Sequence, residues 1–331
     1  MTNRTRYFVI VSLLVLGVGL GTGLLAYYTG FSTSAFSRQG GPDELQFLPA
    51  NASLVAFADV HQIMTSPLRA KVRTLLPMKQ DGQREFAAQT GINIETDIDR
   101  VIAAVAVDRT GDAKRPGAGL VLARGRFDAV KIEALMRDHG GQVEDYKGKR
   151  LIVGQIPDGK PSLSLAFLEP GLIAVGSSSM VRGAVDLGGG GASVTTNDEV
   201  MNLVRDLDSG NAWAVGRFDE LVSQASLPAG VSDKLPAIQW FSASVHVDSG
   251  VRGVIRAETR DDQAANSLRE VVRGIMALAK LQTATRPELD AMLQSLEVAG
   301  TGKTVALSFD VSPELLDVLG SLGSSRPDVQ R

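Results

Sequence analysis

The stretch "YFVIVSLLVLGVGLGTGLLAYY" at residues 7–28 constrains this chain more than any other. It carries no charge, and the next charged residue is Arg38. As a helix its twenty-two residues measure about 33 Å, enough to cross a hydrocarbon core. Backbone groups enter lipid only when paired internally, so a helix is expected despite the glycines. Tyr7, Tyr27 and Tyr28 stand at the two ends, where amphipathic rings prefer the interface. Arg4 and Arg6 precede the stretch, and the excess of positive charge predicts an N-terminus inside and all later residues outside. The expected location is the cytoplasmic (inner) membrane, single-pass, with a periplasmic or extracellular body. The competing reading is a signal peptide cut near Ala35, after the small residues Thr33 and Ser34. Its apolar region would ordinarily be about 7–15 residues long, shorter than this one.

Within the apolar stretch, Gly17–Gly21 and Gly19–Gly23 have the spacing that lets two membrane helices approach closely. A helix–helix dimer through Gly17 and Gly21 is one expectation, although glycine is common in membrane spans anyway. A dinucleotide loop is excluded because Thr22 stands where its third glycine belongs.

Composition bounds the chemistry open to the remaining residues. Setting aside Arg4 and Arg6 leaves 32 of the 34 basic residues against 37 acids, a net −5. A mildly acidic body lacks the clustered Lys and Arg that nucleic acid requires, so no nucleic-acid partner is expected. With no cysteine there is no disulfide, thiolate nucleophile, zinc–thiolate site or lipidated cysteine.

Patterning after residue 45 suggests one unit written twice. "ASLVAFADVHQI" (52–63) is echoed by "NAWAVGRFDEL" (211–221), which sets Val55 on Val215 and Asp59 on Asp219. "VIAAVAVD" (101–108) matches "FSASVHVD" (241–248), and Asp128 falls on Asp261 ahead of two predicted helices. Val101, Ala103, Val105 and Val107 share one strand face, as do Phe241, Ala243, Val245 and Val247. Asp128 and Asp261 are placed to cap helices, and Gly140 to close one. Turns are expected at Lys147-Gly148, at Glu169-Pro170-Gly171 and at Gly250, the last through an unusual backbone angle. Thr196 and Glu199 have capping-box spacing before "VMNLVRDL". The halves differ where the first has "QVEDYKGKRLIVGQ" (142–155), a hairpin, and the second has residues 275–296, mostly helical and broken near Pro287. If the halves face each other, that difference shapes a groove between them.

The predicted fold class is α+β: an N-terminal transmembrane helix, then two pseudo-repeats of antiparallel strands with packed helices. The expected organisation is a cytoplasmic basic tip at 1–6, the span (a signal anchor) at 7–28, a flexible tether at 29–45, repeat 1 with its connecting helix at 46–208, repeat 2 at 209–322 and a disordered tail at 323–331.

Motifs that suggest catalysis dissolve on inspection. "GTGKTVALSF" (300–309) lacks the first P-loop glycine, since position 297 is Glu297, and its alternating Val305, Leu307, Phe309 and Val311 make a strand. The glycine run 188–191 reads as a connector. His61, His139 and His246 are too far apart for a metal signature. Ser177, Ser178 and Ser179 lack a nucleophile elbow and suit a helix start. Asp97 with Asp99, and Asp261 with Asp262, read as solvated ends of elements rather than a glycosidase pair. Lys147, Lys149 and Arg150 form a small basic turn that could touch a membrane surface. No catalytic, cofactor-binding or metal residue is assigned, and no cofactor is expected.

"LQFLPANASLVAFADV" and the succession "LIAVGSSSMVRGAVDL … NDEVMNLV … AWAVGRFDEL" resemble a poorly characterised family of bacterial envelope proteins. The resemblance implies an N-terminal membrane anchor before a duplicated α+β extracytoplasmic body, and no catalytic residues. The function expected is therefore a membrane-anchored, non-enzymatic binding or scaffolding protein of the cell envelope. Its partners would be the bilayer through residues 7–28 and an envelope protein or an apolar ligand held between the halves. The alternative is an envelope hydrolase whose site assembles only in three dimensions.

Overall fold

The computed structural model describes residues 41–75, 87–106, 118–154, 163–207, 210–224, 237–283 and 293–315. The expected basic tip, membrane span, Gly17–Gly21 contact and Ala35 cleavage site lie outside the described residues, as do Val107, Pro287 and the tail. Among the described residues, no helix is long and apolar enough to cross a membrane.

The chain is α+β, built on one antiparallel sheet. Its strands are β1 Leu54–Ala58, β2 Ile98–Ala106, β3 Ala118–Gly125, β4 Gln142–Tyr146, β5 Lys149–Gly154, β6 Leu163–Glu169, β7 Leu172–Ser177, β8 Ala212–Arg217, β9 Ile238–Val247, β10 Val251–Thr259, β11 Glu297–Ala299 and β12 Thr304–Val311. Their order is β11-β12-β10-β9-β8-β1-β2-β3-β7-β6-β5-β4. β1 and β8 lie side by side at the middle, with Val55 directly opposite Val215. Outward from that pair, β2-β3-β7-β6 on one side corresponds in order to β9-β10-β12-β11 on the other. The β4–β5 hairpin extends the first side alone.

The two halves of the chain thus join edge to edge instead of facing one another. Hydrogen bonding explains this: the first strand of each half has a free edge, and pairing the two satisfies both rows of amides and carbonyls.

Helices cover both faces: α1 Val60–Met64, α2 Pro67–Leu75, α3 Ile94–Asp97, α4 Ala129–Asp138, α5 Ser178–Gly188, α6 Asp198–Arg205, α7 Phe218–Gln224 and α8 Asp262–Thr283. On the first face, Val55, Phe57, Ile102, Leu122, Ala174 and Trp213 form the main core with Met180 and Val181 of α5 and Val200 and Met201 of α6. On the second, Ile63 of α1 and Leu68 of α2 pack on Ala58, Ala212 and Val247. Ile132 of α4 packs there on Ile152 and Leu165. Every residue of β1 is buried, as its unbroken "LVAFA" requires in a strand covered on both sides.

Several local expectations hold and others need correction. Asp128 Oδ1 accepts from the Lys131 amide at 3.0 Å and Asp261 Oδ1 from the Ala264 amide at 2.8 Å, so both cap their helices. Lys147 and Gly148 turn the β4–β5 hairpin with φ of 51° and 75°. Gly140 and Gly171 are left-handed as a helix end and a turn require.

Gly250 is not left-handed; what excludes a side chain is crowding, since a Cβ there would lie 2.5 Å from the Val311 carbonyl oxygen. The cap of α6 is Asn197, whose Oδ1 accepts from the Val200 amide at 3.3 Å, rather than Thr196, which belongs to a 3-10 turn. Asp59 stands before α1 and caps it, whereas Asp219 falls inside the first turn of α7. Val101, Ala103 and Val105 do share a face, but Ile102 and Ala104 on the other are the buried ones, each 1% exposed. Alternation reveals that two faces differ, not which receives the deeper layer.

Residues 41–45, expected within the tether, belong to the body. Asp43–Phe47 forms a 3-10 turn that buries Glu44, Leu45 and Phe47. The polar look of "GGPDEL" misleads because its acid is neutralised by partners far along the chain.

Candidate functional site

The turn Asp43–Phe47 lies on the first face of the sheet, where Leu45 and Phe47 enter the core and Glu44 points at two neighbouring strands. Arg100 of β2 and Arg124 of β3 are register partners, so their guanidiniums converge. Glu44 Oε1 accepts a hydrogen bond from Arg124 Nε and forms an ion pair with Arg100, whose Nε lies 3.1 Å away without hydrogen-bond geometry. Arg124 reaches on to Glu169 Oε2 at 3.2 Å, at the end of β6. Burial works against the Arg124 charge, but its hydrogen bonds to Glu44 and Glu169 outweigh that and hold its pKa above the ordinary arginine value.

Two open clefts, each about 550 Å³, flank this turn and share Glu169. The first is lined by Asp43, Gln46, Arg124 and Thr195. The second lies between the β4–β5 hairpin and α5, lined by Lys147, Lys149, Leu168 and Asp186. Its charges are spoken for: Lys147 Nζ is 2.6 Å from Asp186 Oδ1, and Lys149 Nζ donates to the Leu168 carbonyl at 2.8 Å. The Lys147 hydrogen bond lowers the Asp186 pKa and, reciprocally, Asp186 raises that of Lys147. Arg150 pairs with Glu133 at 2.5 Å. The basic turn, read from sequence as an exposed turn, keeps Lys147 and Arg150 largely exposed while tying its hairpin to helices α4 and α5.

The other residues weighed from sequence are scattered. His139 ends α4, its Nδ1 2.8 Å from the Leu135 carbonyl oxygen; His61 is on α1 and His246 on β9. Among the described residues, no group of three or more His, Asp or Glu side chains is arranged to hold a metal ion. Ser178 Oγ lies 2.6 Å from Ser164 Oγ, and Ser177 precedes α5. Asp97 Oδ2 accepts from the Asn93 amide at 2.8 Å, and Arg126 lies 3.6 Å from Asp99. Gly300 and Gly302 are left-handed in the β11–β12 turn, so the P-loop-like stretch is a hairpin.

Asp59 has a measurable consequence. Burial raises its pKa above the ordinary 3.8, outweighing the hydrogen bond from the Gln62 amide and the nearby positive charges. A carboxyl raised on folding favours the folded state most below the unfolded value, and that advantage is lost as pH climbs through the folded value. Asp59→Asn keeps a capping oxygen and removes the charge. Urea titrations are expected to give it a midpoint at least equal to the wild type at pH 7, with a smaller difference, or a reversed one, at pH 3.

A different surface is notable for what stays uncovered. By register, Val121, Leu163 and Ile255 point to the second face, yet they are 37%, 46% and 45% exposed. Val130 on α4 and Val271, Ile275 and Leu278 on α8 are also exposed. Sequence patterning does not reveal this, because an apolar residue in a strand or helix reads as core until its neighbours are known.

No family model matches the chain, and no curated protein sequence matches it. A solved structure described as "Structure of crystal form I of TP0453" is similar over 86% of this chain and 99% of that one, at 10% identity and a TM-score of 0.40. A likeness that loose carries no argument about function.

Proposed function

We propose that this is a membrane-anchored, extracytoplasmic binding or scaffolding protein of the bacterial cell envelope, and not an enzyme. The body, in this reading, is a duplicated α+β unit whose copies meet at β1 and β8. The matching strand order on either side of that pair supports duplication, as do the two aspartate-capped helices that follow β3 and β10. The uncharged residues 7–28 support the anchor.

One observation carries the binding role: the apolar side chains left exposed on the second face of strands from both halves, Val121, Leu163 and Ile255. Ile255 on β10 lies five strand spacings from Val121 on β3, roughly 24 Å, so the positions are separate spots and a partner touching both would span the two halves. Because the halves join edge to edge, an apolar ligand or envelope partner would be taken on this face, not in a cleft between facing halves.

Two measurements test the proposal. Protease added to intact spheroplasts is expected to digest the body; protection until lysis would refute the outward orientation. Native mass spectrometry of detergent-extracted protein is expected to show a bound lipid or partner that is lost from a Val121→Ser/Ile255→Ser variant. Identical spectra for the two proteins would remove the role from this face.

A further inference from the structure

We propose that α8 lies on the lipid surface through Val271, Ile275 and Leu278, so that the body rests on the bilayer rather than swinging free of it. This deepens the anchored reading above and rests on it. α8 spans Asp262–Thr283 and is apolar over two adjoining strips, more than one sheet contact can use. The strip containing Ala265, Leu268, Val272 and Met276 is the more covered, with Ala265 fully buried. Advancing about 100° per residue, Val271, Ile275 and Leu278 fall within about 60° of arc, roughly a quarter turn round from that strip. They are 49%, 63% and 58% exposed. On the same geometry Arg269, Arg273 and Lys280 project to the opposite side, so no charge interrupts the exposed strip. An uncovered apolar strip with its charges turned away is the pattern of a helix lying in the membrane interface.

The size of the strip and the reach of the chain favour lipid over a second copy of the protein. Three partly exposed aliphatic side chains fall far short of the roughly 800 Å² per partner that a stable protein interface buries. A bilayer needs no matched surface, and a body tied to a span meets its membrane at high effective concentration, so a weak contact suffices. Residues 29–40 separate the apolar stretch from the first described residue, Gly41. Fully extended they reach about 40 Å. The attachment turn lies by β3 and α8 by β10, about 24 Å apart across the sheet, and the two faces are about 20 Å apart through two layers, so the separation is roughly 31 Å. The attachment point and α8 can therefore serve the same bilayer.

The chain has no native cysteine, so single-cysteine nitroxide labelling is unambiguous. The full chain is reconstituted into phosphatidylcholine–phosphatidylglycerol vesicles with Ile275→Cys, Leu278→Cys, Arg273→Cys or Val15→Cys labelled in turn. Collision with oxygen, which concentrates in lipid, is compared with collision with a water-soluble nickel chelate. The oxygen-to-nickel ratio is expected to be several-fold higher at 275 and 278 than at 273, and high at 15. Equal ratios at 275, 278 and 273 with a high ratio at 15 would overturn the docking of α8 while leaving the anchor intact. Low ratios at all four positions would overturn both. A high ratio at 275 and 278 with a low one at 15 would support α8 docking and remove the anchor. Shielding of 275 from both reagents, with spin–spin broadening between labels, would assign the strip to a second copy and overturn the lipid proposal.

Discussion

Replacing Glu44 with alanine is expected to cost the body about 1.5–3 kcal/mol of unfolding free energy, the range for a hydrogen bond to a charged group, since the arginine side chains it leaves behind are 38% and 24% exposed. Glu44 is 1% exposed, and its Oε1 is shared by Arg100 and Arg124. Without it the two guanidiniums converge with Glu169 beside Arg124 and the more distant charge of Asp59 near Arg100 for compensation. Glu44→Gln preserves the shape and one acceptor but not the charge, so a smaller loss is expected. The loss should be largely coupled to Arg124: adding Arg124→Met to Glu44→Leu removes both charges and should recover part of the stability that Glu44→Leu loses alone. Urea denaturation of the wild type, Glu44→Leu, Arg124→Met and the double variant checks this. Additive losses would show that Glu44 is held by packing and not by its charge partners. The same substitution should loosen residues 41–47, because Glu44 fixes this turn to β2 and β3. Faster amide exchange at Leu45 and Phe47 in Glu44→Ala would register that.

The second large effect is expected at the seam. Trp213 of β8 is directly opposite Phe57 of β1, with ring centroids 5.5 Å apart and planes inclined by 23°. Both are buried in the main core, at 5% and 2% exposure. Trp213→Ala should cost about 3–5 kcal/mol, as expected for an aromatic deletion that the surroundings refill only partly. Phe57→Ala should fall in the same range. A double-mutant cycle should then show about 0.5–1.5 kcal/mol of coupling from the stacked rings. This pair sits where the two halves of the chain meet, so its loss should also test their cooperation. Tryptophan fluorescence, from Trp213 and Trp240 in the wild type and from Trp240 alone in Trp213→Ala, and far-ultraviolet circular dichroism should give coincident transitions in the wild type. In Trp213→Ala, separated transitions would mean that the halves can unfold independently once the seam is weakened.

Much of the fold is legible in the sequence because it is encoded locally. The alternation and turn residues of "QVEDYKGKRLIVGQ" mark a hairpin, and Lys147 and Gly148 turn it. Asp128 and Asp261 announce helix starts because a carboxylate satisfies amides only three residues away. The equivalence of Val55 and Val215 reflects two strands with the same demand for burial on both faces, and they end up paired. Where local reading fails, the reasons are equally physical. Glu44 reads as part of a solvated tether because its partners are 56 and 80 residues further on, and a sequence window contains no such distance. Gly250 reads as a backbone-angle glycine, when the approach of Val311 from another strand decides it.

By itself the sequence determined the α+β class, the antiparallel pairing of neighbouring segments, the chemistry excluded by the absence of cysteine and a run of 31 uncharged positions near the start. Those come from periodicity, turn geometry and the cost of wetting apolar groups, which act within a few residues. Only the tertiary structure decided that the halves share one sheet through β1 and β8, that Glu44 is buried, and that apolar side chains on the second face and on α8 stay uncovered. Burial belongs to a residue's surroundings, and those are assembled from segments that the chain keeps far apart.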